Sequence, residues 1–248
     1  MTKRVALVTG GNGGIGSAIC RELAGQGHAV VAGYFPPEKE SAEAWQKQMA
    51  DQGVSIELAA MDVSSYEDSE RAIGEIADKL GPVEILVNCA GITRDGTLKK
   101  MPEAAWKAVM ATNLDSAFNT TRHVINGMLD KGWGRIVNIA SVNGQRGQFG
   151  QANYSAAKAG MHGFTMAVAL ETAAKGITVN TVSPGYIATP MTEAMPEKVL
   201  EAIVNSVPMR RMGTPEEIAN TVAWLASEGN GYTTGANIPV NGGLFTSH

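Results

Sequence analysis

Tyr154 and Lys158 stand four residues apart in the stretch Asn153-Tyr154-Ser155-Ala156-Ala157-Lys158, whose residue types suit a helix. Residues at i and i+4 share a helix face, so this spacing brings an ammonium near a phenol. A nearby positive charge favours phenolate. It would draw the tyrosine pKa down from about 10 toward the range in which a general acid or base works near neutrality. The pair therefore reads as a proton-transfer device. The same offset also describes an ordinary helix with a half-buried tyrosine and a solvated lysine, and the surrounding residues decide between the two.

A second constellation lies near the start, in Thr9-Gly10-Gly11-Asn12-Gly13-Gly14-Ile15-Gly16. It follows an apolar run and opens a helical one. Glycines there permit a tight turn and close approach of the backbone, and the free N–H groups at the helix start attract the charge of a pyrophosphate. Gly10, Asn12, Gly14, Ile15 and Gly16 are accordingly candidate dinucleotide-binding residues. The alternative is a flexible glycine-rich turn.

These residues need a scaffold, and the chain supplies a regular alternation. Seven short apolar runs, at Val5 to Thr9, Ala29 to Gly33, Ile56 to Met61, Val83 to Asn88, Arg135 to Ala140, Thr178 to Val182 and Ala236 to Val240, read as strands. Between them fall helical segments at Ser17 to Gln26, Glu67 to Leu80, Glu103 to Asn126, Ser155 to Ala174 and Pro215 to Ala226. Strands apolar throughout are buried on both faces, and strand-helix-strand repetition requires parallel crossovers. The fold class is therefore α/β, a Rossmann-type doubly wound parallel sheet of seven strands with helices on both faces. Nothing resembles a linker, so residues 1–248 read as one domain. Thr214-Pro215-Glu216-Glu217 has the pattern of a helix cap, which leaves Glu217 a structural role. The stretch from Pro184 to Gly213 breaks the alternation and holds Met191, Met195, Met209 and Met212. It reads as an insertion forming a substrate lid at about 186–213.

Composition narrows the classes of function. Of 248 residues, 44% are hydrophobic and 18% charged, with a formal net charge of -4, which gives no basic footprint for nucleic acid. The longest apolar runs are strand-sized, far short of a membrane span. Met1-Thr2-Lys3-Arg4 runs straight into Val5 to Val8 without a signal-peptide pattern, so a cytoplasmic location is expected. Cys20 and Cys89 read as buried free thiols. The histidines at 28, 123, 162 and 248 have no metal-ligand spacing, so no metal is expected.

The glycine spacing, Asn88-Cys89-Ala90-Gly91 after the fourth strand, Asn113, Ser141, Tyr154-x3-Lys158 and Pro184-Gly185 occur in an order and at spacings that resemble the short-chain dehydrogenase/reductases across essentially the whole chain. Cys89 departs from the second Asn common there. The resemblance implies a nicotinamide dinucleotide held also by Asp62, Val63, Asn88, Gly91, Pro184, Gly185 and Ile187. It implies that Ser141 donates to a substrate carbonyl and Tyr154 protonates it. Lys158 lowers the tyrosine pKa and holds the nicotinamide ribose, while Asn113 anchors a proton-relaying water. Where an NAD-selective carboxylate would end the second strand, the sequence reads Ala32-Gly33-Tyr34-Phe35, which favours NADPH/NADP+. No basic residue replaces Gly13, and Lys39 would reach the 2′-phosphate only if its loop folded back.

Within the family, the run from Ser141 to Tyr154 is similar to the branch that reduces acetoacetyl-CoA to (R)-3-hydroxybutyryl-CoA, a polyhydroxyalkanoate precursor. Reductases of 3-oxoacyl carrier-protein thioesters are near relatives, and a catalytically silent dinucleotide-binding regulator is the alternative of another class. Gln148 and Gln151 are expected to bond the thioester arm of an acyl-CoA, while Phe149 and Tyr186 wall the acyl chain beside Ser141 and Tyr154. Pro190 replaces an Asp common in the lid. Relatives of this kind are commonly homotetramers.

Overall fold

The computed structural model describes residues 2–189, 192 and 196–246, and in it the run Val5–Thr9 forms β1 with every residue buried. Six further strands follow: β2 Ala29–Tyr34, β3 Glu57–Ala60, β4 Ile85–Asn88, β5 Gly134–Ile139, β6 Ile177–Pro184 and β7 Asn237–Val240. All pair in parallel in the order β3-β2-β1-β4-β5-β6-β7. The order reverses at β1, so the crevice of a doubly wound sheet opens at the carboxyl ends of β1 and β4.

The helices are α1 Gly14–Gly25, α2 Lys39–Asp51, α3 Tyr66–Leu80, α4 Glu103–Met110, α5 Ser116–Lys131, α6 Val142–Arg146, α7 Ala152–Thr172, then Glu197–Ser206 as α8 and Pro215–Ala226 as α9. They cover both faces because alternate strand residues point to opposite sides. Ala6 and Val8 pack with Ile19 and Leu23 of α1 and with Ile218 and Val222 of α9. Val5 and Leu7 pack on the other face with Ile73 and Ile76 of α3 and Val124 and Met128 of α5. The start of α9 is the expected capping box, Thr214 and Glu217 each capping the other's backbone.

The expected single helix from Glu103 to Asn126 is divided. A π-turn over Ala111–Asp115 separates α4 from α5, which runs on to Lys131. That turn holds Asn113, which is fully buried. Helix α7 starts at Ala152, earlier than expected, placing Tyr154 in its first turn.

A buried polar ladder crosses the middle of the sheet and fixes α7 against it. Asn88 Nδ2 of β4 donates to Asn138 Oδ1 of β5 at 2.8 Å, and Asn138 Nδ2 donates to Thr165 Oγ1 of α7 at 2.8 Å. Thr181 of β6 donates to the same Thr165 oxygen, while Thr120 of α5 donates to Asn88 Oδ1 at 2.6 Å. Satisfied networks of this kind select one packing arrangement, because a shift of any member strands a buried polar atom.

Among the described residues no helix is long and apolar enough to cross a membrane, and no group of His, Cys, Asp and Glu is placed to hold a metal. Cys20 is buried and Cys89 half-buried, both as free thiols. Pro190, Met191, Met195 and His248 lie outside the described residues.

Candidate active site

Four elements converge where the carboxyl ends of β4 and β5 meet the start of α7. Ser141 follows β5 and is the N-cap of α6, its Oγ accepting from the backbone N–H of Asn143 at 3.1 Å. Its side chain also lies beside the Tyr154 hydroxyl. Lys158, on the face of α7 that carries Tyr154, is buried and places Nζ 5.8 Å from the Tyr154 ring centroid. The ammonium donates to the carbonyl oxygen of Ile139, the last residue of β5, at 2.7 Å.

Burial sets the electrostatics. It pulls the Lys158 ammonium down to about 8 and pushes the Tyr154 hydroxyl above its ordinary value. What draws Tyr154 back is the neighbouring Ser141 hydroxyl. Lys158 is not among the groups that shift Tyr154; its ammonium is engaged by the Ile139 carbonyl.

Asn113 is engaged through its side-chain amide. Its Nδ2 donates to the carbonyl of Ile92 and its Oδ1 accepts from the N–H of Ile92, both at 2.8 Å, so the side chain is a clamp on the loop after β4. A Cβ added to Gly91 would stand 3.3 Å from Asn113 Oδ1 and 3.6 Å from Lys158 Nζ. Gly91 thus keeps the approach to both residues open.

The glycine loop sits beside this cluster. Thr9 Oγ1 accepts from the N–H groups of Cys89 at 3.0 Å and Ala90 at 3.1 Å, joining the end of β1 to the loop after β4. Gly10 adopts φ +63, and a Cβ there would lie 3.0 Å from Ala90 Cα. A Cβ on Gly11 would come 2.6 Å from that of Ala32, and one on Gly16 would strike the Gly10 carbonyl. Gly13, the N-cap of α1, offers no side chain to the helix start, and the first turn holds no acidic residue. Gly13 and Gly14 are exposed. An uncapped, exposed helix N-terminus on a side-chain-free loop is a cradle that fits a pyrophosphate.

The short chain dehydrogenase family model matches residues 4–200, a span that holds the glycine loop and the Ser141, Tyr154 and Lys158 cluster. The chain belongs to the short-chain dehydrogenase family. It is an oxidoreductase and, like the family, it binds a nicotinamide dinucleotide. It is 60% identical to the acetoacetyl-CoA reductase of Allochromatium vinosum, with 98% of both chains covered. It is 54% identical to the acetoacetyl-CoA reductase of Cupriavidus necator, over 98% of this chain and 99% of that one. At 46% identity, with 98% of both chains covered, it resembles the 3-oxoacyl-[acyl-carrier-protein] reductase FabG of Pseudomonas aeruginosa.

For a short-chain dehydrogenase, the other expected site residues divide into open and engaged groups. Asp62 accepts from both the N–H and the hydroxyl of Ser64, a local turn, and the carbonyl of the buried Val63 accepts from Asn119. Asn88 is brought to the sheet edge, but its side chain belongs to the buried ladder and not to an open surface. Pro184 ends β6, and Gly185 lies so close to Asn241 that a Cβ would approach its Cα to 2.8 Å. Ile187 is buried and pairs with Gly213.

Of the residues expected to meet substrate, Gln148 and Phe149 are exposed and line an open groove of about 360 Å³ with Gly96, Thr97 and Leu98. Phe149 is 88% exposed, carried outward between Gly147 and Gly150, whose φ values are 71 and 78. Tyr186 lines a different cavity of about 250 Å³ with Met209, Arg211 and Glu217, so it and Phe149 are not walls of one pocket. The backbone explains why: Gly213 N–H donates to the Tyr186 carbonyl at 2.9 Å, tying Tyr186 to the start of α9. Gln151 uses its amide internally, accepting from Asn143 and donating to Asp95, both at 2.9 Å.

Proposed function

We propose that the chain reduces acetoacetyl-CoA to (R)-3-hydroxybutyryl-CoA with NADPH. The observation that carries the chemistry is the placement of the Ser141 and Tyr154 hydroxyls together beside the buried ammonium of Lys158. Two hydroxyls on one side of a cleft can share the charge that develops on a carbonyl oxygen. The dinucleotide supplies hydride when bound. Tyr154 delivers the proton to the carbonyl oxygen, Ser141 orients that oxygen, and Lys158 holds the nicotinamide ribose. Asn113 is a positioning residue that clamps Ile92 and with it Gly91.

Gly10, Asn12, Gly14, Ile15 and Gly16 would hold the pyrophosphate, with Asp62 and Val63 at the adenine and Gly91, Pro184, Gly185 and Ile187 along the nicotinamide half. The absence of a carboxylate from Ala32 to Phe35 supports NADPH. The names of the relatives at 60% and 54% identity support the CoA thioester, as does the polar and aromatic lip of Gln148 and Phe149.

The proposal extends to a single domain, with residues 186–213 as a lid over the substrate. Its two ends are pinned where Ile187 pairs with Gly213. A cytoplasmic homotetramer is proposed too: Phe118 on α5 and Met166 and Leu170 on α7 are exposed apolar residues suited to subunit contacts.

The relative acting on carrier-protein thioesters keeps a second reading open, the same reduction with the acyl group on acyl carrier protein. Steady-state kinetics with NADPH on acetoacetyl-CoA and acetoacetyl-carrier protein test the choice. The proposal expects kcat/KM to favour the CoA thioester by ~10-fold or more. A preference for the carrier protein overturns it.

A further inference from the structure

The strand β2 ends without a carboxylate, yet the fold brings one to the glycine loop from the next turn. Pro36 and Pro37 open a 3-10 turn that ends at Glu38, and α2 begins at Lys39. Helix α2 is tied onto α1, with Trp45 Nε1 donating to Ser17 Oγ at 2.8 Å and Ala42 and Met49 buried beneath it. The turn is thereby held over the start of α1. Asn12 Nδ2 of the glycine loop donates to Glu38 Oε2 at 3.2 Å.

In a doubly wound sheet the pyrophosphate sits at the first helix start and the adenosine ribose lies over the end of the second strand. Asn12 belongs to the first of these places and Glu38 follows the second. No cation opposes the carboxylate from the loop, because position 13 is glycine. Lys39 turns instead toward Glu43, at 3.8 Å.

We propose that Glu38, anchored by Asn12, is the residue that sets selectivity at the ribose 2′ position of the dinucleotide. Its carboxylate accepts from a 2′-hydroxyl and opposes a 2′-phosphate, so it narrows the preference for NADPH that the carboxylate-free end of β2 otherwise favours. The inference rests on the dinucleotide reading of the glycine loop and is independent of which thioester is reduced.

Calorimetric titration with 5′-AMP and adenosine 2′,5′-bisphosphate tests it without any turnover, so a failure of the substrate assignment leaves the result readable. Glu38 is exposed and its field is screened, so Glu38→Gln should raise affinity for the bisphosphate by ~3- to 10-fold at about 0.05 M salt, with most of the gain gone at about 1 M. Affinity for 5′-AMP should stay level or fall, and Glu38→Lys should widen the gap. The ratio of kcat/KM for NADPH over NADH should rise with the same substitutions. Equal changes for both nucleotides, or no change with either variant, overturn the proposal.

Discussion

Lys158 donates from Nζ to the carbonyl oxygen of Ile139 at 2.7 Å, which ties α7 to the end of β5 and keeps an ammonium buried beside Tyr154. The bond compensates only part of the desolvation, since burial brings the group from 10.5 to about 8.

Folding stability depends on pH through this buried group. Between about 8 and 10.5 the unfolded chain binds more proton at this lysine than the folded chain, so folding stability rises with pH across that window. Below it both states are protonated and the cost of the buried charge is constant. Relative to Lys158→Met, the unsubstituted protein should gain on the order of 3 kcal/mol across the window, read from urea midpoints. A stability difference that is flat with pH would contradict the buried ammonium.

Ser141 should act on the tyrosine. Its hydroxyl lowers the pKa of a phenol that burial otherwise raises, so Ser141→Ala should move the Tyr154 pKa further up. The expected signature is a fall in kcat/KM of ~100- to 1,000-fold together with an alkaline shift of the limb assigned to Tyr154 in its pH profile. Tyr154→Phe should abolish turnover while dinucleotide binding, measured by fluorescence titration, stays nearly intact. A Ser141→Ala profile with unmoved limbs would limit the serine to capping α6.

The buried ladder yields a prediction about the scaffold. Asn138→Ala removes the acceptor of Asn88 Nδ2 and the donor to Thr165 Oγ1, leaving a buried amide without its partner. The cost should be about 2–4 kcal/mol in chemical denaturation. A double-mutant cycle with Asn88→Ala should return a coupling of about 1–3 kcal/mol, whereas additive effects would argue against a single network.

Much of this architecture was legible because burial writes itself into composition. Strands covered by helices are mostly apolar, so the seven runs are legible to within a few residues at their ends. The glycine loop and the Tyr154 and Lys158 pair were legible because local geometry demands particular residues at fixed offsets. The parts that escaped depend on partners distant in sequence. Ala111–Asp115 reads as helix in pattern, and its π-turn coincides with Asn113 clamping the backbone of Ile92, 21 residues away. Gln151 looked free to meet substrate, but Asp95, 56 residues distant, takes its amide. Asn88 was legible as a site residue by resemblance, while the direction of its side chain followed from Asn138. Helix α2 carries mostly polar residues and was not singled out by apolar periodicity, and with it went the placement of Glu38.

Two glycines of α1 separate the demands of the dinucleotide from those of the helix. Gly25 is exposed at the end of α1, and a Cβ there would meet nothing within 4 Å. Gly25→Ala should therefore be neutral or stabilising by up to ~1 kcal/mol, since alanine is the better helix former. Gly16 has the same residue type in the same helix and the opposite surroundings. Its Cβ would strike the Gly10 carbonyl oxygen and lie 2.9 Å from both the Gly10 carbonyl carbon and Gly11 Cα. These are backbone atoms of the cradle itself, which cannot swing aside as a side chain would. Gly16→Ala should destabilise by about 1–3 kcal/mol and, by displacing the loop, weaken dinucleotide binding by at least ~10-fold. Thermal melts with and without dinucleotide give both numbers. If Gly16→Ala keeps its ligand-induced rise in Tm at the level of Gly25→Ala, the loop is not where the pyrophosphate rests.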